Sequence, residues 1–519
     1  MKNIKYILVS LMLIIASSCN GFLDEVPDNR AEVDTKEKAI KLLVSAYPNV
    51  AFCMPAELSS DNTDEYLADP NDGRTFNQLY NWEDVTEEEV EDVPSLVWER
   101  NYRAISNANM ALDALNDMGN TSDIMAIKAE ALMARAYSHF ILVNMFCQHY
   151  TKTHAATDLG IPYMETSETD LYPQYERGTV AGVYGKIAKD IGDALPYISD
   201  EYHTVPKYHF NVQAAHAFAA RFYLYYQNWD SAIICATKAL GSNPQTLLRD
   251  YVALAQVPGE VHKSSEQYIQ APHKCNFLLT AHASCLGLIY GPYDFAAHYS
   301  HGAKIANTET WYAKGPWGNS SQSTYVRSPY NYTSGLDKIL LPRLPYLFEV
   351  KDPVTNTGIW RTIFANFTAE ETLLVRAEAY IMKKEYSKAL ADINLWVGNT
   401  LKNNVQITET NITDWVNSFA EYTPKEPTPK KQLNPEFAIE AGLQESYIHC
   451  LLHIRRLETI HTGLRWFDVK RYGIEVWRRG IENGNITTVN TNSLKNRDLR
   501  CALQIPKDVI AAGLAANPR

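Results

Sequence analysis

After its first twenty residues the chain has no second long apolar run, no C-x-x-C pair and no excess of basic charge. Each absence closes off a class. Nothing beyond the N-terminus is long enough to cross ~30 Å of hydrocarbon as a helix. Seven cysteines besides Cys19 are scattered at Cys53, Cys147, Cys235, Cys275, Cys285, Cys450 and Cys501. That odd count, without metal or redox spacing, argues against a disulfide framework. Only Cys275 and Cys285 are close enough in sequence to tempt a bridge. A formal charge of −12 speaks against nucleic acid or anionic lipid as the main partner, because both need basic patches. Catalytic signatures are missing too: there is no H-E-x-x-H, G-x-S-x-G, Walker loop or G-x-G-x-x-G. His298 and His301 form a lone H-x-x-H without further ligands at metal spacing. Asp61, Asp64, Asp69 and Asp72 miss the alternating positions of an EF-hand. No enzymatic activity, cofactor or metal is expected.

What the chain does have begins at its N-terminus. Lys2 and Lys5 precede an apolar stretch from Tyr6 to Ala16, and the small residues Ala16, Ser17 and Ser18 follow. This is the pattern of an export signal over residues 1–18, too short to anchor by itself. The cysteine directly after it makes the segment look like a bacterial lipobox, in which Cys19 becomes the acylated first residue of the mature protein. Each buried methylene contributes roughly 0.8 kcal/mol, so several acyl chains tether stably.

Helical periodicity dominates the body. Trp98, Tyr102, Ile105, Ala108 and Leu112 are spaced by threes and fours within 94–118, and 122–146 and 179–198 read likewise. Two later stretches share one plan. An Arg (Arg221, Arg376) is followed four residues on by a Tyr (Tyr225, Tyr380), and an aromatic (Trp229, Tyr386) precedes an Ala (Ala232, Ala389) by three. Small residues let antiparallel helices approach while aromatics fill the groove beside them, which is tetratricopeptide-like logic. The expected fold is mainly α, built of helical hairpins.

From about 271 to 358 the helical period gives way to Gly, Pro, Ser, Asn and aromatics. Disordered segments are poor in aromatic residues and this one is rich, so functional loops are expected. Residues 423–435 read as a Pro- and Lys-rich linker or surface excursion. Tyr outnumbers Phe 32 to 16. Tyr and Trp rings in loops offer a flat apolar face beside a hydrogen-bonding edge, complementary to a sugar with C–H groups on one face and hydroxyls at its rim.

Several segments together resemble the SusD/RagB family of outer-membrane lipoproteins: "CNGFLDEVP", "VWERNYRAISNANMALDAL", "EALMARAYSHFILVNMF", "EETLLVRAEAYIMKKEYSKALADIN" and "RRLETIHTGLRWFDVKRYG", in the family's order. One departure is His461–Thr462–Gly463, where the family usually has Glu-Gly. Arg465, Asp468, Lys470 and Arg471 are expected to fix helix packing by ion pairing. The resemblance implies a signal peptide (1–18), an N-terminal helical domain (19–270) and a C-terminal domain with a loop-rich insertion (271–519). It implies a non-catalytic, lipid-anchored outer-membrane protein that binds a glycan and delivers it to a SusC-like TonB-dependent transporter. By that resemblance the ligand contacts fall on Asp61, Arg74, Trp82, Tyr293, Trp311 and Trp317. The alternative is a helical-repeat scaffold whose loops bind a peptide or protein.

Overall fold

The computed structural model describes residues 33–67, 73–88, 90–170, 173–293, 295, 297–332 and 336–519. The signal segment, Cys19, Asp69 and Asp72 lie outside the described residues. In chain order the first helices are α1 (Lys36–Leu43), α2 (Cys53–Ser59), α3 (Arg74–Tyr80), α4 (Pro94–Asp117), α5 (Ser122–Phe146), α6 (Val180–Ala194), α7 (Val212–Tyr225) and α8 (Trp229–Leu240). Their ends follow local chemistry. Pro94 opens α4, where a missing N–H is harmless. Thr179 caps α6 by accepting from Gly182 N, and Asn228 caps α8 by accepting from Ser231 N.

Short helices α9 (Tyr251–Ala255), α10 (Val261–Tyr268), α11 (Leu286–Tyr290) and α12 (Ala303–Thr308) cross the loop-rich middle. Then come α13 (Ala369–Met382), α14 (Tyr386–Thr400), α15 (Glu409–Asn417), α16 (Leu443–Thr459), α17 (Leu464–Tyr472) and α18 (Lys507–Ala511). Helix α4 packs on α5 and α5 on α6, while α7 pairs with α8 and α13 with α14. Ala232 and Ala389 are fully buried, as close helix approach requires. Two hairpins carry matching ion pairs. Arg135 Nε and Nη2 donate to Asp190 at 2.8 and 2.6 Å, and Arg376 Nε and Nη2 to Asp392 at 2.8 and 2.7 Å. Helix α8 also packs on α13, and one continuous apolar core runs from Ala39 to Leu514, across position 270.

The middle is less loop-like than its composition suggests. Strand β2 (Asn276–Ala283) pairs antiparallel with β7 (Thr357–Thr368), and β7 with β6 (Leu347–Asp352). A second sheet of order β3-β1-β8-β9 unites β1 (Asp64–Tyr66), β3 (Tyr299–Ser300), β8 (Arg479–Glu482) and β9 (Asn485–Val489), gathering three distant parts of the chain. Strands β4 (Tyr330–Asn331) and β5 (Ile339–Leu340) form a small ribbon. All seven described cysteines are free, and Cys285 donates to Asp92 Oδ2 at 3.1 Å, so Cys275 and Cys285 form no bridge.

The "RWFDVKRYG" helix is internal, consistent with the packing role expected of it. Asp468 accepts from Arg455 Nε at 3.1 Å and Arg471 Nη2 at 2.7 Å, and Arg471 Nη1 reaches Glu378 at 2.7 Å. Lys470 Nζ donates to the carbonyls of Asn144 and Cys147, both at 2.8 Å. Where the family's Glu was expected, His461 adopts φ 66° and lays its ring on Tyr290 at 4.6 Å and 5°.

Candidate functional site

Strands β6 and β7 set a row of aromatic rings. Phe348 and Trp360 face each other in register across the hairpin, and Trp360 is 42% exposed. Tyr346, two residues before Phe348, stacks flat on Trp360 at 4.3 Å and 7°. The Tyr293 hydroxyl accepts from Tyr346 N at 2.8 Å and donates to Tyr346 O at 3.2 Å, locking its loop to the strand. Its ring meets Tyr346 edge-on at 6.0 Å and lies parallel to His262 at 6.3 Å. The outcome is an aromatic run His262–Tyr293–Tyr346–Trp360–Phe348.

Tyr293 and His262 also line a cleft of ≈ 650 Å³ with Tyr330, Tyr332, Arg327, Ser264 and Glu260. Tyr330 and Tyr332 meet edge to face at 5.1 Å. Arg327 Nη2 donates to Ser264 Oγ at 2.8 Å, and burial pulls its pKa down. Lys338 Nζ donates to the carbonyls of Leu288 and Tyr293, each at 3.2 Å, and stands 5.3 Å over the Tyr332 ring. Burial raises the Tyr293 phenol, which keeps it a neutral donor and acceptor. Flat rings beside a guanidinium, a carboxylate and hydroxyls can stack on an apolar sugar face and bond its rim.

Of the residues expected to touch ligand, Tyr293 lines this cleft and the others sit elsewhere. Asp61 is buried. It accepts from Arg465 Nε and Nη2 at 2.7 and 2.8 Å, with Lys431 Nζ at 3.4 Å and Arg456 Nη1 at 3.6 Å. Burial alone would raise its pKa, but Arg456, Arg465 and Lys431 hold it well below the usual range. Trp82 is 7% exposed, under the Arg478 guanidinium at 4.0 Å, with Nε1 donating to Ser59 O. Trp311 is 3% exposed and edge-on to Tyr325 at 5.2 Å. Trp317 is half-buried against Trp396 and His453, with Nε1 held by Ser320 Oγ at 2.9 Å. Arg74 is exposed at the start of α3. Asp61 and Trp311 are thus enclosed by protein, and Trp82, almost as buried, borders a separate cleft of ≈ 210 Å³ with Pro94, Arg500 and Pro506. Residues 423–435 are irregular and mostly exposed or half-buried, as a surface excursion would be, but Lys431 anchors them: it is buried with its Nζ 2.5 Å from Glu309 Oε2.

Tyr346, Phe348 and Trp360 escaped the sequence reading. Their signal was present as a period of two at 346 and 348 followed by a turn rich in Asn, Thr and Gly. A second cleft of ≈ 630 Å³ lies between α4 and the C-terminal segment, walled by Trp98, Tyr102, Ile105, Met164, Val509 and Leu514. Its lining is mostly apolar and fits a polyhydroxylated ligand less well.

A scaffold of stacked helical hairpins carrying an aromatic cleft on a sheet and loops defines the class. Residues 21–224 match the SusD-like_3 family, described as "Starch-binding associating with outer membrane". That match covers part of the chain, and the fold of the whole is similar to solved structures of the SusD superfamily. Its fold is similar to a SusD superfamily protein from Bacteroides thetaiotaomicron VPI-5482, at 17% identity, covering 93% of this chain and 99% of that one, TM-score 0.63. It is similar to a putative sugar binding protein from Bacteroides vulgatus ATCC 8482, at 18% identity, 94% and 99% coverage, TM-score 0.65. A SusD superfamily protein from Parabacteroides distasonis ATCC 8503 matches at 16% identity, 94% and 99% coverage, TM-score 0.60. No curated protein matches the chain.

Proposed function

We propose that this protein is a non-catalytic, lipid-tethered capture protein of the outer membrane. It binds a glycan on the His262–Tyr293–Tyr346–Trp360–Phe348 run and passes it to a SusC-like TonB-dependent transporter. The observation that carries the reading is the exposed Trp360–Tyr346 stack beside a cleft edged by Arg327, Glu260 and Ser264. The family's description as starch-binding and outer-membrane-associated supports the ligand class and the location. Among the described residues no helix is long and apolar enough to cross a membrane, so a lipid on Cys19 would supply the anchor, and inward movement of ligand requires a partner. The two-part organisation, 19–270 and 271–519, belongs to this proposal as a change in sequence character about one core.

The test is affinity electrophoresis of the detergent-solubilised full chain in a panel of polysaccharides, followed by calorimetry with whichever retards it. Aromatic stacking lost by alanine substitution costs about 1–3 kcal/mol on nucleobases. By that analogy Trp360→Ala should weaken binding about 5- to 150-fold with its melting temperature unchanged. Trp311→Ala is the contrast: a large core truncation should lower stability by about 3–5 kcal/mol and leave affinity of the folded protein intact. Retardation by no glycan, with retention on a peptide library, would replace the reading by the peptide-binding scaffold.

A further inference from the structure

Helix α5 is buried on nearly every side, and in its middle sits a carboxylate, Glu130, with no exposure. Its partners come from two other places in the chain. Tyr47, just after α1, donates its hydroxyl to Oε1 at 2.7 Å. The connection between α6 and α7 supplies Tyr202, whose hydroxyl donates to Oε2 at 2.8 Å, and His209, whose Nδ1 is 2.8 Å from Oε1. His203 Nε2 stands 3.9 Å from Oε2, too far for a hydrogen bond. Its ring lies flat on that of His209 at 4.3 Å and 15°. The His203 side chain is 1% exposed, yet neither ring nitrogen has a hydrogen-bond partner. An imidazole shut away from water with both nitrogens idle is an unexplained group in an otherwise satisfied cluster.

One ligand atom each from Glu130, His203 and His209 fall within 4.8 Å of one another. Zn–N bonds of about 2.0–2.1 Å and Zn–O bonds of about 2.0–2.2 Å separate tetrahedral ligands by about 3.3 Å, inside the spread seen here; the His203 ring, held by no hydrogen bond, has to turn out of its parallel stack on His209 for both in-plane lone pairs to meet one ion. We propose that Glu130, His203 and His209 form a structural binding site for a borderline divalent cation, zinc foremost, that fastens the α6–α7 connection onto α5. Two imidazoles and a carboxylate suit zinc over calcium or magnesium, which take oxygen ligands. The fourth position falls to the Tyr202 oxygen or a water. Outer-shell support is in place: the Tyr47 hydroxyl, while donating to Glu130, accepts from Phe210 N at 2.7 Å, which fixes the carboxylate's orientation. This is distinct from the aromatic cleft, and neither proposal depends on the other.

The experiment uses the full chain without a polyhistidine tag, stripped with chelator, loaded with one equivalent of zinc and desalted. One zinc per chain by elemental analysis, and a higher melting temperature than the stripped protein, are expected. Cobalt substitution should give the intense visible bands of a tetrahedral site. His203→Ala should abolish retention, because loss of a mere outer-shell partner already weakens metal binding about 10- to 100-fold and this removes a ligand. Glu130→Gln could fail to fold, whereas His203 has no hydrogen-bond partner to lose, so its variant keeps the test decisive. Zinc absent after desalting, or retained equally by His203→Ala as an adventitious ion only, overturns the proposal.

Discussion

Replacing Asp61 by alanine removes one carboxylate from a site where cations converge. Asp61, Asp64 and Glu309 face Arg456, Arg465, Arg479 and Lys431, all buried. Arg465 makes two bonds to Asp61, at 2.7 and 2.8 Å, and would lose both. Breaking a buried pair on one side costs about 3–5 kcal/mol, because the remaining charge is left uncompensated. A chain of ~500 residues unfolds with an entropy of about 1 kcal/mol/K at ~2.1 cal/mol/K per residue, so the melting temperature should fall by about 3–5 °C. Asp61 has a depressed folded pKa. Its contribution is therefore complete above the unfolded carboxylate value of about 3.9 and fades as pH falls through the depressed one. Differential scanning at pH 7 reads the shift, and calorimetry on the folded variant reads glycan affinity. The companion Asp61→Ala/Arg465→Met should recover part of the loss, with a coupling of about 0.5–3 kcal/mol. An unchanged melting temperature together with lost affinity would refute the reasoning and return Asp61 to a ligand site.

Burial raises Glu57 from 4.5 to about 7, despite bonds from Asn62 Nδ2 at 2.9 Å and Gly463 N at 2.7 Å. The folded chain then holds a proton that the unfolded chain has released, so stability declines as pH rises from about 4.5 to about 7, by at most about 3 kcal/mol. Glu57→Gln should remove that slope in thermal scans, leaving the similar one of Glu458, raised to about 7 by burial and by Glu370; a slope unchanged in the variant would count against it. Cys19→Ala should release the protein from membranes, with mass spectrometry of the wild type finding acyl chains on Cys19; a variant that still fractionates with membranes after signal cleavage would sink the lipid anchor.

The helices were legible because their signal is local. Trp98, Tyr102, Ile105 and Leu112 announce α4 by spacing alone, and Thr179 announces the cap of α6. Asp61 was not legible, since Arg465 lies 404 residues away and an acidic stretch looks the same in water or in a core. Trp229 and Trp311 both depart from expectation for a related reason. Trp229 opens an apolar helix yet is half-buried beside Phe437, while Trp311 follows a helix in a polar-looking loop yet is enclosed. Which face of a ring meets solvent depends on what the rest of the chain lays over it. Glu130, His203 and His209 show the same limit: H-x₅-H across a connection has no ligand spacing until α5 brings its carboxylate.

Strand β7 ends at Thr368 and α13 begins at Ala369, with the Thr368 side chain capping the helix by accepting from Glu371 N. No flexible joint separates the strand that carries Trp360 from the helix that packs on α8, α14 and α16. That continuity has a mechanical side. Under the proposed tether and glycan site, a long polymer held at Trp360 would be under tension whenever the surface or the polymer moved. Pull along β7 loads its ladder with β2, registered from Asn276–Thr368 to Ala283–Arg361, in shear and not by peeling. Many backbone bonds would have to break together before the strand slides. The same joint passes the load directly into α13 and the helices packed on it, so a grip at Trp360 would outlast a jerk that would open a loop.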